Sequence, residues 1–220
     1  MAVDLVLATR NAAKGREMAR LLGEQGRSGV AGSGQDEPAA GLESLRLHTL
    51  ADLPVDGDPE ETGATFAENA LIKARGAAER TGMWAVADDS GLAVAWLGGR
   101  PGVYSARWAG RHGDDTANNR LLLSQIAGVP PMQRGARFVA AVAIVSPDGR
   151  EWVVEGECHG QVAYRTRGSG GFGYDSLFLR PQLGKTFAEL TPDEKDALSH
   201  RGRAFAKARR VLGEVVEAEG

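Results

Sequence analysis

Short apolar runs alternate with segments of helical periodicity along this chain, and few architectures accommodate that alternation. Residues 3–9 read as a buried strand carrying Val3, Leu5, Val6 and Leu7. A loop and then a helix through about Leu22 follow, with Met18, Leu21 and Leu22 on one face. A second helix opens near Thr65, where Thr65 and Glu68 have capping-box spacing, and Phe66, Ala70, Ala74 and Ala77 form an apolar stripe ending before Gly82. Trp84-Ala85-Val86-Ala87 is a short buried strand running into Asp88-Asp89-Ser90-Gly91, and Leu92–Leu97 reads as another strand. Residues 115–127 are helical, with Leu121, Leu122 and Ile126. Phe138–Val145 and Trp152–Glu157 read as strands of a hairpin turning through Pro147-Asp148-Gly149. Thr191-Pro192-Asp193-Glu194 starts a further helix, and Phe205, Ala208, Leu212 and Val215 extend a last one. There is no internal repeat. Strands alternating with helices, plus a hairpin, predict an α/β protein with a mixed sheet.

The 220 residues suit one domain, or one domain with two lobes. Residues 26–41 are rich in Gly, Ser, Ala and Pro and read as a flexible surface excursion. The formal net charge of −3 disfavours a nucleic-acid binder, which needs a basic excess, but leaves small anionic ligands open. Cys158 is the only cysteine, so no intrachain disulfide forms, which suits a reducing cytosol. The N-terminal apolar run is interrupted by Asp4 and reads as a strand rather than a signal peptide. No apolar run approaches the roughly 20 residues of a membrane span. The expectation is a cytoplasmic protein without a membrane partner. His48, His112 and His159 lack metal-ligand spacing.

Four polar segments fall at strand ends or helix starts, where ligands of open α/β sheets gather. Thr9-Arg10-Asn11-Ala12-Ala13-Lys14 lies between the first strand and helix, where unpaired N–H groups and the dipole favour anions. It lacks the glycines and Lys-Ser/Thr ending of a Walker loop, and a cap plus a surface lysine explains it as well. Glu60-Glu61 precedes the second helix, where acids also simply complement the dipole. Asp88-Asp89-Ser90-Gly91 sets two adjacent carboxylates after an apolar strand; a tight turn explains that, and so does a magnesium ion relieving their repulsion. The fourth segment is Gly170-Gly171-Phe172-Gly173-Tyr174-Asp175, taken with Lys195 and Ser199-His200-Arg201. Phe172 offers a stacking face for a base, and the basic residues offer donors to carbonyl oxygens. The plain alternative is a core phenylalanine and a solvated basic helix face.

On one continuous helix Lys195 and His200 would lie about 140° apart around the axis. Their convergence on one ligand requires a break near Ser199, with Ser199 capping a second helix.

Together these segments resemble one family, the inosine/xanthosine triphosphate pyrophosphatases that remove deaminated purine nucleotides. The matching stretches run in family order across nearly the whole chain: Ala8 to Lys14, Glu61 to Ala70, Ala87 to Leu92, Pro101 to Arg107, Gly170 to Asp175, and Glu194-Lys195 with Ser199 to Gly202. The resemblance implies a two-lobed α/β fold with a long mixed sheet flanked by helices and an active-site cleft between lobes. It spans residues 1–220 as a single domain with a flexible insertion at about 26–48. It implies hydrolysis of dITP/ITP and XTP/dXTP to the monophosphate and pyrophosphate, with Mg2+ as cofactor, in a homodimer acting on a small nucleotide. It places the triphosphate on Thr9, Arg10, Asn11, Ala12, Ala13 and Lys14, with Lys73 as a further phosphate contact. Glu61 and Asp89 would hold the metal, and Asp89 would accept the proton of the attacking water. Ser90, Phe172, Gly173, Tyr174, Asp175, Lys195, His200 and Arg201 would contact the nucleotide, mainly its base. A pyrophosphatase for modified pyrimidine nucleotides and a non-catalytic nucleotide sensor are the alternatives.

Overall fold

The computed structural model describes residues 3–23, 45–55, 57 and 59–217. Seven strands form one sheet in the order β2-β1-β3-β4-β5-β6-β7. They are β1 Val3–Leu7, β2 Leu45–Thr49, β3 Trp84–Val94, β4 Gly135–Val145, β5 Glu151–Val162, β6 Phe178–Arg180 and β7 Lys185–Thr186. Both β2 and β3 pair parallel to β1, whereas β5–β6 and β6–β7 are antiparallel, so the sheet is mixed as expected. The helices are α1 Ala12–Gly23, α2 Phe66–Thr81, α3 Asp115–Gln125, α4 Pro192–Leu198 and α5 His200–Glu217.

The chain divides into two compact units. One comprises Met1–Asp89, Ala141–Glu155 and Ala204–Gly220; the other comprises Ser90–Ala140 and Gly156–Arg203. The first has a core of small residues, with Ala70, Ala74 and Ala77 of α2 packed among Val6, Ala85, Ala87, Ala141 and Ala143. Alanines at this spacing let the helix approach the sheet closely, and enlarging one would overpack it at a cost of about 1–3 kcal/mol. The second has a bulkier core, where Phe138, Phe178 and Phe187 stack with Leu92, Val94, Leu122 and Leu177.

The helix ends follow the sequence signals. Thr65 accepts from the Glu68 N–H while Glu68 reaches back to the Thr65 backbone, and Gly82, at φ 66°, closes α2 in the left-handed region that glycine tolerates. Thr191 and Glu194 make the same reciprocal box at α4. The helix breaks where expected: Ser199 is extended (φ −78°, ψ 164°), and its hydroxyl accepts from the Gly202 N–H at 3.0 Å to start α5.

Three expectations are corrected. Asp88-Asp89-Ser90-Gly91 is not a turn between two strands but the middle of the single strand β3, and Ala95–Leu97 is a short 3-10 turn. Neighbouring residues on a strand point to opposite faces, so the two carboxylates are separated without a turn. The insertion expected over 26–48 holds regular structure at its end. Residues 45–48 belong to β2, where Leu45 and Leu47 alternate with Arg46 and His48 and His48 bonds Asp4 at 2.8 Å; residues 26–44 of that insertion lie outside the described residues. The hairpin strands run longer than expected, from Gly135 and to Val162, because half-exposed positions carry their polar residues.

Candidate active site

β3 outruns its neighbour. The β1 pairing ends at Leu7 opposite Val86, and the chain turns away into Thr9–Asn11 while β3 continues through Asp88 and Asp89. β1 leads to β2 on one side and β2 returns to β3 on the other. The right-handed rule for crossovers between parallel strands assigns α1 and α2 to opposite faces of the sheet. This is a topological switch point, where α/β sheets bind ligands beyond the carboxyl ends of the strands.

Each carboxylate meets a lysine from one of these helices. Lys14 of α1 lies 2.6 Å from Asp88 Oδ1 and also donates to the Asp88 carbonyl at 2.8 Å. Lys73 of α2 donates to Asp89 Oδ1 at 2.8 Å and to Glu61 Oε1 at 3.1 Å. Asn69 donates to Asp89 Oδ2 at 3.3 Å and accepts from the Gly63 N–H at 2.8 Å, tying the segment after Glu61 to the same carboxylate. Burial is the largest influence on Asp89 and pushes its pKa up, with Lys73 and Lys14 pulling back without cancelling it. Burial pulls Lys73 down, but Asp89, Glu61 and Asp88 outweigh it and hold its ammonium above the ordinary lysine range.

Glu61 and Asp89, from separate segments, thus aim oxygens at one cationic point, the Lys73 ammonium. Among the described residues no three His, Cys, Asp or Glu side chains cluster as a complete metal shell. Two carboxylates with the remaining positions left to water and phosphate oxygens is the donor set that magnesium takes, so these residues fit that ion.

The Thr9–Lys14 segment is more occupied than its sequence suggests. Asn11 Oδ1 accepts from the Ala13 and Lys14 N–H groups at 3.0 and 3.1 Å, capping α1, and Thr9 Oγ1 accepts from Asn11 N at 3.2 Å. Arg10 donates to the carbonyls of Leu50 and Val55, tethering that loop. Lys14 is no surface lysine. It is half-buried against Asp88.

A second group forms in the other unit. The ring of Phe172 carries two cations, with Lys195 Nζ 5.1 Å and the Arg201 guanidinium 4.9 Å from its centroid. Lys195 donates to Asp175 Oδ2 at 2.8 Å, and the same oxygen accepts from Phe172 N at 3.0 Å. Arg201 donates to Ser90 Oγ at 2.6 Å. The α4–α5 junction brings Lys195 and Arg201 to one ring, and it is tight: a Cβ on Gly202 would lie 1.7 Å from the Asp196 carbonyl oxygen. His200 is buried with its ring stacked on Phe138, 4.5 Å between centroids. Tyr174 faces the core and donates to the Ser105 carbonyl at 3.0 Å; burial pushes its pKa well up.

Lys14, Glu61, Lys73 and Asp89 therefore gather in one unit, beside the Thr9–Asn11 turn. Ser90, Phe172, Asp175, Lys195 and Arg201 gather in the other. The sequence reading gave no role to Asn69, Asp115 or Asn119. Asn69 carried one signal, a polar residue beside the apolar stripe of α2 that is fully buried here. Asp115 and Asn119 bond Gly173 and carried none.

A model of the Ham1 family matches residues 5–211. A dITP/XTP pyrophosphatase of Corynebacterium efficiens is 47% identical over 99% of this chain and 100% of that protein. One of Nocardia farcinica is 52% identical over 91% of this chain and 90% of that protein. Among solved structures, a nucleoside-triphosphatase / dITP/XTP pyrophosphatase of Mycobacterium abscessus is 48% identical, with a TM-score of 0.70 over 94% of this chain and 98% of that one. A HAM1 protein of Coxiella burnetii is 36% identical, with a TM-score of 0.79 over 96% and 99%. With its family pattern matched across almost all its length, the chain belongs to the Ham1 family.

Proposed function

We propose that this chain hydrolyses non-standard purine nucleoside triphosphates, dITP/ITP and XTP/dXTP, to the monophosphate and pyrophosphate. The observation that carries the reading is the convergence of Asp89 and Glu61 on one cationic point, at the strand end beside Lys14. The names and near full-length identity of the relatives support it.

Water adds to the α-phosphorus, the bond from that phosphorus to the bridging oxygen breaks, and pyrophosphate leaves whole. Asp89 takes the proton of the attacking water; its burial raises its basicity for that task. Glu61 and Asp89 would hold Mg2+, which when bound neutralises phosphate charge and acidifies bound water. Lys14 and Lys73, with Thr9, Asn11 and the start of α1 at Ala12 and Ala13, place cationic and N–H donors for the phosphoryl oxygens. Lys14 and Lys73 are now held by carboxylates, so they exchange those partners as phosphate arrives. Arg10 serves by fixing the adjoining loop, through its bonds to Leu50 and Val55.

The second group reads the base. Phe172 supplies a stacking face, and Lys195 and Arg201 supply donors. Hypoxanthine and xanthine carry an acceptor oxygen at C6, whereas adenine carries an amino group that would leave those donors unpaired. Ser90 and Asp175 hold Arg201 and Lys195, Gly173 and Tyr174 shape the loop, and His200 braces the start of α5. The protein acts in this reading as a cytoplasmic homodimer on a free nucleotide, without nucleic acid or membrane. Among the described residues no helix is long and apolar enough to cross a membrane.

The test is pyrophosphate release from ITP, XTP, dITP, ATP, GTP and dTTP with and without magnesium. Release confined to ITP, XTP and dITP, and abolished by chelation, is the expected result. Release mainly from dTTP moves the assignment to a pyrimidine pyrophosphatase, and release from none moves it to a nucleotide sensor.

A further inference from the structure

One helix grips the loop that carries Phe172, and the reaction as described gives that grip no role. Asp115 and Asn119 lie four residues apart on α3 and so share one face of it. Asp115 Oδ2 accepts from the Gly173 N–H at 2.6 Å. Asn119 Nδ2 donates to the Gly173 carbonyl at 2.9 Å, and because a carbonyl only accepts, this contact fixes which end of the amide faces the loop. Gly173 sits at φ 61°, in the left-handed region, so both of its peptide groups are oriented by α3 at the residue where the loop reverses. The preceding residue is Phe172, whose own N–H is taken by Asp175.

The Asn119 side chain is specialised for this contact. Its Oδ1 is buried and has no hydrogen-bond partner among the described residues. An orphan buried acceptor carries a desolvation cost, which a residue serving only packing would not need to bear.

We propose that Asp115 and Asn119 are positioning residues for base recognition. Together they clamp Gly173 so that the Phe172 ring stays in register with Lys195 and Arg201. The proposal rests on the reading of Phe172 as the base platform. Releasing either end of the clamp lets the ring move and weakens stacking that contributes alike to the bound substrate and the transition state. KM should therefore rise while kcat holds.

Steady-state ITP hydrolysis by wild type, Asn119→Ala, Asp115→Ala and Asp115→Asn tests this. Each alanine variant is expected to raise KM about tenfold, part of the worth of one base–aromatic stack, with kcat within about twofold. Asp115→Asn is expected to keep KM within about twofold, because its carboxamide oxygen accepts the same bond. A KM unmoved in both alanine variants overturns the proposal. So does an Asp115→Asn enzyme as impaired as Asp115→Ala, or a fall in kcat with KM unchanged. Should Asp115→Ala fail to fold, Asn119→Ala decides alone, since it removes a buried orphan atom along with one bond. Wild type that fails to hydrolyse ITP sinks the functional reading and this inference with it; wild type that hydrolyses ITP while the variants match it sinks this inference only.

Discussion

Two buried aspartate–lysine pairs, Asp89 with Lys73 and Asp175 with Lys195, share the same 2.8 Å contact and nearly the same seclusion from solvent. Their surroundings differ. Around the first stand Glu61, Asp88 and Lys14, so three carboxylates face two ammonium groups. Around the second stand Arg201 and the face of Phe172, so two cations share one aromatic ring beside Asp175. The surroundings, not the pair, set the chemistry. An acidic excess at a strand end calls for a metal ion and provides a base. Two cations against one aromatic ring suit a flat ligand edged with acceptor oxygens. Asp175 also accepts from the backbone, through Phe172 N, whereas Asp89 accepts from the side chains of Asn69 and Lys73.

The largest expected effect contrasts the two aspartates. If Asp89 is the proton acceptor and a metal ligand as proposed, Asp89→Asn should lower pyrophosphate release from ITP about a hundredfold or more, the usual worth of a general base. Asp175→Asn should instead raise KM and erode the preference for ITP over ATP, leaving the magnesium requirement as in wild type. Equal losses of kcat in both variants would break the division of labour.

The cationic group can be loosened in two ways. Gly202→Ala drives a methyl into the Asp196 carbonyl and should destabilise the α4–α5 junction by about 1–3 kcal/mol, read as a lowered midpoint in urea unfolding. Arg201→Ala leaves that junction alone and withdraws one donor from the ring. The ratio of kcat/KM for ITP over ATP should drop about tenfold or more. An unchanged ratio would mean that base choice is made elsewhere.

What the sequence revealed tracks how local the deciding interaction is. The caps at Thr65 and Thr191 and the break at Ser199 rest on residues three or four apart, and all three appear as read. The continuity of β3 does not. Asp-Asp-Ser-Gly has turn composition, and what keeps it in a strand is its place in the sheet between β1 and β4, while Lys14, 74 positions away from Asp88, and Lys73, 16 from Asp89, meet its polar groups. The loop contacts of Arg10 were hidden for a related reason. A guanidinium beside a phosphate-type turn suggests an anion, but its acceptors are backbone carbonyls, which leave no mark in the sequence. The Asp115–Asn119 clamp was invisible on the same ground.

The smallest expected effect sharpens the acidic side of the comparison, at Asn11. Its side-chain oxygen satisfies two N–H groups of the first turn of α1, which is a complete structural reason for an asparagine there. Asn11→Asp keeps an acceptor at that position and adds a negative charge that favours the helix dipole, so thermal stability should stay within about 0.5 kcal/mol of wild type. If the turn also faces the triphosphate, the new charge repels it. KM for ITP should then rise a few-fold, and the rise should shrink as salt screens the repulsion. A variant as stable as wild type with KM unmoved at low salt would reduce Asn11 to a cap and shift the work of holding phosphate onto Lys14 and Lys73.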